Sequence, residues 1–271
     1  MNPLLSVDIA RSFQSGRRIL ARFVIPEEMQ GRVLVVTGES GSGKSTLLRM
    51  LSGLISPDTG SIYWNGNAWF DSKNDENCPV NQRGIGYLPQ EDTLFPHMTV
   101  RENLLFAIEA RKGTLASMWS RLKSAQNDCL EEAMFRFELL PLSRSRPENL
   151  SGGQRRRVSV CRMFLLNPSL LLLDEPLNGL DSKAKGEIGD LLRHFLEDRR
   201  IPGFWVTHDP FEADRTGAVW ANFERLDPDC PVSGHSLVVF EAVRARARKD
   251  SLLYLATYRN RTAGGTDRHF P

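Results

Sequence analysis

The stretch Gly38-Glu39-Ser40-Gly41-Ser42-Gly43-Lys44-Ser45 limits most strongly what this chain can become. It fits G-x-x-x-x-G-K-[ST] and lies between an apolar run, RVLVVTG, and a segment of helical periodicity from Lys44 to Leu54. Glycines in such a loop let backbone N–H groups turn onto phosphate oxygens, and the helix start adds its partial positive charge. Gly38, Ser40, Gly41, Ser42, Gly43 and Thr46 are therefore expected in a phosphate cradle. Lys44 is placed to supply a mobile charge to the β- and γ-phosphates, and the Ser45 hydroxyl to ligate Mg2+. The bland alternative, a tight strand-to-helix turn, is disfavoured by the full match in this context. The motif implies nucleotide binding and leaves kinase, GTPase and transport motor open.

A second pattern sharpens the first. Leu170 to Leu173 is an apolar strand that ends in Asp174-Glu175-Pro176. Acids at the carboxyl end of a buried parallel strand face the ligand crevice. Asp174 is expected near the Mg2+, and Glu175 to polarise a water for in-line attack on the γ-phosphate. Two surface charges would be the competing reading, weakened by the all-leucine strand and the glycine loop.

Composition narrows the classes. The 271 residues suit one large α/β domain with a helical insertion, or two modest domains. A net charge of +2 gives no field that implies nucleic acid or anionic lipid as partner. No run approaches the roughly 20 apolar residues a membrane helix needs, and MNPLLSVDIARSF lacks the pattern of a secretory leader. A soluble, cytosolic protein is expected. Cys78, Cys129, Cys161 and Cys230 form no C-x-x-C pair and read as unrelated reduced thiols.

Along the chain, LSVDIA, RILARFVI and RVLVVTG read as strands, SPDTG as a turn and SIYWNG as a strand and turn. Asp71 to Asn81 reads as polar and irregular, and GIGYLPQ as a strand. From Glu91 to about Pro168 the pattern is helical; SLLLLDEP, SKAKGEIGDLLRHFLEDRR and IPGFWVTHD follow as strand, amphipathic helix and strand. This alternation predicts a parallel sheet covered on both faces, with a helical insertion between its two halves. After Asp209, ERLDPDCPVSGHS reads as loop, and VRARARKD and YRNRTAGGTDRHFP as an arginine-rich solvated tail.

Leu150-Ser151-Gly152-Gly153-Gln154 resembles the signature of the ATP-binding cassette (ABC) ATPases. The order supports the resemblance: glycine loop, Gln90 in GYLPQ, LSGGQ, LLLLDEP, Leu180-Asp181, then His208 in WVTHD. It implies an α/β P-loop NTPase fold with a RecA-like core sheet, an N-terminal antiparallel β subdomain and an inserted helical subdomain. The domain would span 1–220, its helical part roughly 91–168, with 221–271 as a tail. The resemblance further implies ATP and Mg2+ as ligands. Gln90 would touch Mg2+ and the attacking water, His208 the γ-phosphate, and Asp181 a dimer interface. Ser151, Gly152, Gly153 and Gln154 would close over the nucleotide of a second ATPase subunit, in a homodimer. An integral-membrane permease and, indirectly, an external solute-binding protein would be partners, with no role for nucleic acid. The ATPase would then sit on the cytoplasmic face of the inner membrane.

Four features depart from the family pattern. After Pro210, FEADRTGAVWANFERL only faintly resembles the usual closing strand and its glycine turn. Members commonly stack adenine on an aromatic residue ahead of the glycine loop; Phe13 is the nearest candidate, with Arg17 or Arg18 as alternatives. NGLD replaces the commoner small-residue D-loop, and Cys161 stands where alanine is usual. The stretch NGNAWFDS, then PVNQRGIGYLPQEDTLFPHMTVRENLLFA, resembles oxyanion importers, the molybdate type most closely, with sulfate, tungstate and polyamine importers as alternatives. Phe95, Pro96, His97 and Met98 are expected to dock the permease. Soluble cassette ATPases acting on DNA or ribosomes, and P-loop kinases, are competing readings.

Overall fold

The computed structural model describes residues 3–14, 18–38, 40–112, 119–209, 212, 219–223 and 240–242. Its elements, in chain order, are β1 (Leu5–Ser12), β2 (Arg18–Ile25), β3 (Val33–Gly38), α1 (Lys44–Ser52), β4 (Thr59–Trp64), β5 (Asn67–Asp71), β6 (Glu76–Asn77) and β7 (Ile85–Leu88). Then come α2 (Val100–Lys112), α3 (Trp119–Arg136), α4 (Gly152–Leu165), β8 (Leu170–Asp174), α5 (Ser182–Arg199), β9 (Gly203–Val206), β10 (Val219–Phe223) and β11 (Phe240–Ala242).

The strands form two sheets. One is antiparallel, in the order β2-β1-β4-β5-β6, and the other runs β11-β10-β3-β9-β8-β7. In the second sheet β10, β3, β9, β8 and β7 pair in parallel, and only β11 runs against its neighbour.

Period-two alternation explains why these strands are apolar throughout. Leu34, Val36, Leu170, Leu172, Phe204 and Val206 pack on one face, with α1 and the antiparallel sheet. Val33, Val35, Leu171, Leu173 and Trp205 pack on the other, against residues of α2 to α5. A strand that feeds two cores has no solvent face on which to carry a polar residue. No helix among the described residues is long and apolar enough to cross a membrane.

Local signals set the helix ends. Ser151 caps α4: its hydroxyl accepts from the Gln154 N–H at 3.2 Å, and Gln154 Oε1 accepts from the Ser151 N–H at 2.9 Å, a reciprocal capping box. Asp181 caps α5, accepting from the Lys183 and Ala184 N–H groups, both at 3.0 Å.

The Asp71–Asn81 stretch, expected to be irregular, holds the short edge strand β6 and a 3-10 turn at Val80–Gln82. Both residues of β6 are exposed, so no apolar alternation marked it. At the other end, Val219–Phe223, in the stretch that only faintly resembles a closing strand, extends the parallel sheet beside β3, and Phe240–Ala242 pairs with it in the expected tail. The rest of 221–271, with Cys230 and the arginine runs, lies outside the described residues.

One buried cation ties the two sheets together. Arg83, 2 % exposed, donates to the carbonyls of Met50 (3.1 Å) and Leu51 (2.8 Å) at the end of α1, to Trp69 (3.0 Å) in β5 and to Cys78 (3.0 Å). Burial pushes its pKa down. Four carbonyls on three segments would lose their donor together in Arg83→Met. That variant is expected to lose about 3 kcal/mol of stability in urea unfolding; a loss under about 1 kcal/mol would contradict this role.

Candidate functional site

The carboxyl ends of the parallel strands converge on one crevice, as in open α/β sheets generally. β3 ends in Gly38, β8 in Asp174, β9 leads to His208, and β7 leads to Gln90. Leu88 pairs with Leu173, and Asp174 with Val206, so these ends lie at one level.

The loop between β3 and α1 has its conformation set by glycine. Gly41 and Gly43 have φ of 73° and 112°, a left-handed region that an L side chain enters with strain. Lys44 is buried, and its Nζ curls back to the Gly38 carbonyl at 2.9 Å and to Ser42 Oγ at 3.4 Å. Burial lowers the Lys44 pKa, while the nearby Glu175 and Asp174 carboxylates oppose the shift.

Asp174 is buried at the end of β8. Its Oδ1 accepts from Ser45 Oγ at 3.0 Å. Burial raises the Asp174 pKa, with Glu175 adding to the rise and the Ser45 hydrogen bond, Arg49 and Lys44 opposing it. A hydroxyl and a buried carboxylate at hydrogen-bond distance form an oxygen donor set that fits a hard cation such as Mg2+. Among the described residues, no group of three or more His, Cys, Asp or Glu forms a protein-only metal cluster. Mg2+ held through one carboxylate and substrate phosphates needs no such cage.

Glu175 stands one residue on, with φ of 45°, left-handed and unfavourable for a glutamate. Its N–H donates to the Val206 carbonyl at 2.9 Å. Both side-chain oxygens are engaged: Oε1 lies 3.0 Å from His208 Nδ1, and Oε2 accepts from Asn178 Nδ2 at 2.8 Å. The His208 side chain is 61 % exposed and that of Glu175 18 %, so the imidazole stands on the rim and the carboxylate within.

A cavity of about 410 Å³ joins these parts. Ser40, Gly41, Ser42 and Gly43 line it, with Lys44, Ser45 and Thr46 from α1. Gln90 and Glu175 close it on the sheet side, and Phe13 and Ile19 on the side of the antiparallel sheet. Asp174 joins through Ser45, and His208 through Glu175. Of the residues considered for adenine, Phe13 lines the cavity, with the Arg11 guanidinium 5.5 Å from its ring centre. Arg17 lies outside the described residues.

Other expected site residues lie elsewhere. Ser151, Gly152, Gly153 and Gln154 form the start of α4, the first two exposed and the others half-buried, and do not line this cavity. Asp181 caps α5 and borders a separate cavity. Phe95 packs edge-on against Phe106 at 4.8 Å, with Phe106 44 % exposed. Pro96 and His97 are exposed beside it, and Met98 is half-buried. Cys78, Cys129 and Cys161 are free thiols.

Two contributors escaped the sequence reading. Asn178 lies in the NGLD departure, three residues after Glu175, and an amide at that distance was the available signal. Arg156, in the basic run after LSGGQ, donates to the carbonyls of Pro89, Glu175 and Pro176, and nothing in a run of three arginines distinguishes the middle one.

Comparison with known proteins agrees with this geometry. Residues 28–178 match the ABC transporter family profile. A sulfate/thiosulfate import ATP-binding protein of Thermosynechococcus vestitus is 38 % identical over 207 residues, 76 % of this chain and 56 % of that one. A molybdenum import ATP-binding protein of Pseudomonas aeruginosa is 39 % identical over 183 residues, 68 % of this chain and 48 % of its own length. An Fe(3+) ions import ATP-binding protein of Pectobacterium atrosepticum is 35 % identical over 207 residues, 76 % and 55 % of the two chains. The chain thus spans about half the length of these relatives. Among solved structures, a dimeric ATP-binding cassette in a post-hydrolysis state with ADP and Pi superposes with a TM-score of 0.65 at 26 % identity, covering 80 % of this chain and 93 % of that one. The glycine loop, the strand-end carboxylates and the profile match that spans them point the same way: the chain belongs to the ABC transporter family.

Proposed function

We propose that this chain binds ATP in the Lys44 cavity, hydrolyses it, and drives an importer through a separate membrane permease. The observation that carries the reading is the Glu175 carboxylate: it lines the same cavity as Lys44, is clasped at one oxygen by Asn178 and stands 3.0 Å from His208. A carboxylate fixed beside a phosphate-sized loop is placed to accept the proton of an attacking water. Lys44 and the loop N–H groups bind the β- and γ-phosphates. Ser45 and Asp174, with Gln90 on the cavity wall, are the residues that would hold Mg2+, whose chemistry is to neutralise phosphate charge. His208 steadies Glu175 from the rim and is taken as the group that hydrogen-bonds the γ-phosphate. Phe13 offers its ring to adenine.

The cassette domain, expected over residues 1–220, is taken to run on at least through β10, because that strand pairs with β3 in the core sheet; its helical part is taken as 91–168. In this reading Ser151 to Gln154 and Asp181, remote from the cavity within one copy, meet the nucleotide of a second copy. The dimeric solved cassette supports that arrangement. The exposed Phe106 beside Phe95 to Met98 forms the apolar ledge for the permease, which puts the subunit at the cytoplasmic face of the membrane.

The cargo class is taken as an oxyanion, because two of the three similar import proteins are named for sulfate/thiosulfate and for molybdenum. The similar Fe(3+) import protein supplies the second reading. The test is ATPase activity of the full complex reconstituted in vesicles with its external binding protein. Molybdate or sulfate is expected to raise turnover at least about fivefold while ferric ion leaves it at the basal rate. Stimulation by ferric ion alone would replace the oxyanion reading.

A further inference from the structure

The three arginines after LSGGQ have different surroundings. Arg155 pairs with Asp92 at 2.6 Å, and Arg157 pairs with Glu138 and Glu187. Arg156 is 5 % exposed, and its hydrogen bonds go to backbone carbonyls. Its Nη1 donates to the Pro89 carbonyl at 2.8 Å, its Nε to that of Pro176 at 2.5 Å, and its Nη2 to that of Glu175 at 3.2 Å.

Pro89 immediately precedes Gln90, and the other two carbonyls belong to Glu175 and its neighbour. One planar fork thus spans the two backbone segments that carry the glutamine and the carboxylate. We propose that Arg156 is a positioning residue for ATP hydrolysis, fixing Gln90 and Glu175 in one frame. The proposal rests on the reading that both groups act on the attacking water.

The geometry makes the need concrete. Glu175 has φ of 45°, a conformation its surroundings must hold in place. The Asn178 N–H binds the Glu175 carbonyl at 3.2 Å, and Arg156 binds the same oxygen from the opposite element. A guanidinium reaches three acceptors in a fixed plane, whereas an ammonium is a point charge on a flexible stem. Burial lowers the Arg156 pKa to about 10, with Asp92, Asp174 and Glu212 opposing, so the group stays charged near neutral pH. Because Arg156 is on α4, five residues after the Ser151 cap, the start of that helix is tied to the same frame.

The test is basal ATPase and ATP affinity of the full chain carrying Arg156→Met, which keeps bulk and removes every donor. Turnover per folded molecule is expected to fall about 20-fold, with the ATP dissociation constant within about threefold of wild type. Adding Glu175→Gln to Arg156→Met is expected to cost far less than the product of the two single losses, because Arg156 acts in large part through that carboxylate. Arg156→Lys is expected to recover part of the lost turnover. A lowered melting temperature with turnover per folded molecule within about twofold of wild type would overturn the proposal and leave Arg156 purely structural. Should the methionine variant fail to fold, Arg156→Gln, with one amide donor, is expected to lose about fivefold, and a loss under about twofold overturns the proposal equally. Wild-type turnover by Glu175→Gln alone would overturn the underlying reading first, and the proposal with it.

Discussion

Lys44→Ala is expected to weaken ATP binding about a hundredfold, equivalent to roughly 2.7 kcal/mol. The argument is electrostatic. Lys44 Nζ rests on the Gly38 carbonyl and Ser42 Oγ, inside a cavity that Glu175 lines and within the field of the Asp174 carboxylate behind Ser45. A triphosphate entering that space brings several negative charges towards two acids that are already there. Without the ammonium, backbone N–H groups and the helix start would have to offset both. Charge-assisted hydrogen bonds to phosphate oxygens are the strong ones, and losing them costs more than losing neutral contacts. Isothermal titration with ATP and Mg2+ measures the effect directly. An affinity within about threefold of wild type would contradict the cradle.

Glu175→Gln is expected to leave that affinity within about threefold while lowering turnover about a thousandfold, the middle of the range for removing a positioned general base. Glutamine keeps the side-chain shape and an oxygen to accept from Asn178, but it cannot take a proton from water. The left-handed backbone at residue 175 is untouched by the change, so the loop stays in place. Rapid-quench single-turnover kinetics separates the hydrolysis step from binding. A rate within about tenfold of wild type would remove Glu175 from its role.

Much of this site was legible because its parts are local patterns. Lys44 and Ser45 follow a glycine loop, and Asp174 and Glu175 end an all-leucine strand; each pattern fits in eight residues or fewer. β3, β8 and β9 were legible because feeding two cores leaves their residues uniformly apolar. β6 was not, since two exposed residues on a sheet edge carry no periodic signal. β10 and β11 were obscured by the loop-like, arginine-rich text around them.

The contacts that escaped the reading join residues distant along the chain, or depend on backbone rather than side chains. Arg83 and Arg156 bind carbonyls, which every residue possesses, so no partner residue type betrays them. Phe13 stands well ahead of the glycine loop in sequence, with Arg17 and Arg18 as rival candidates. The hairpin of β1 and β2, with Arg11 opposite Ile19, runs that length out and back and leaves the ring on the cavity wall. The Ser151 hydroxyl, expected to close over a second subunit's nucleotide, also serves as the cap acceptor of α4. An anion would meet that helix start with its capping box already formed.

The central claim is that ATP is held by the Lys44 loop and consumed through Glu175, between two copies of the chain. Sedimentation equilibrium of Glu175→Gln protein with MgATP, followed by analysis of the bound nucleotide, addresses all three parts at once. The account predicts a dimer carrying two uncleaved ATP molecules, which dissociates when Lys44→Ala is added. A protein that stays monomeric with saturating ATP, or a dimer found loaded with ADP, would contradict it.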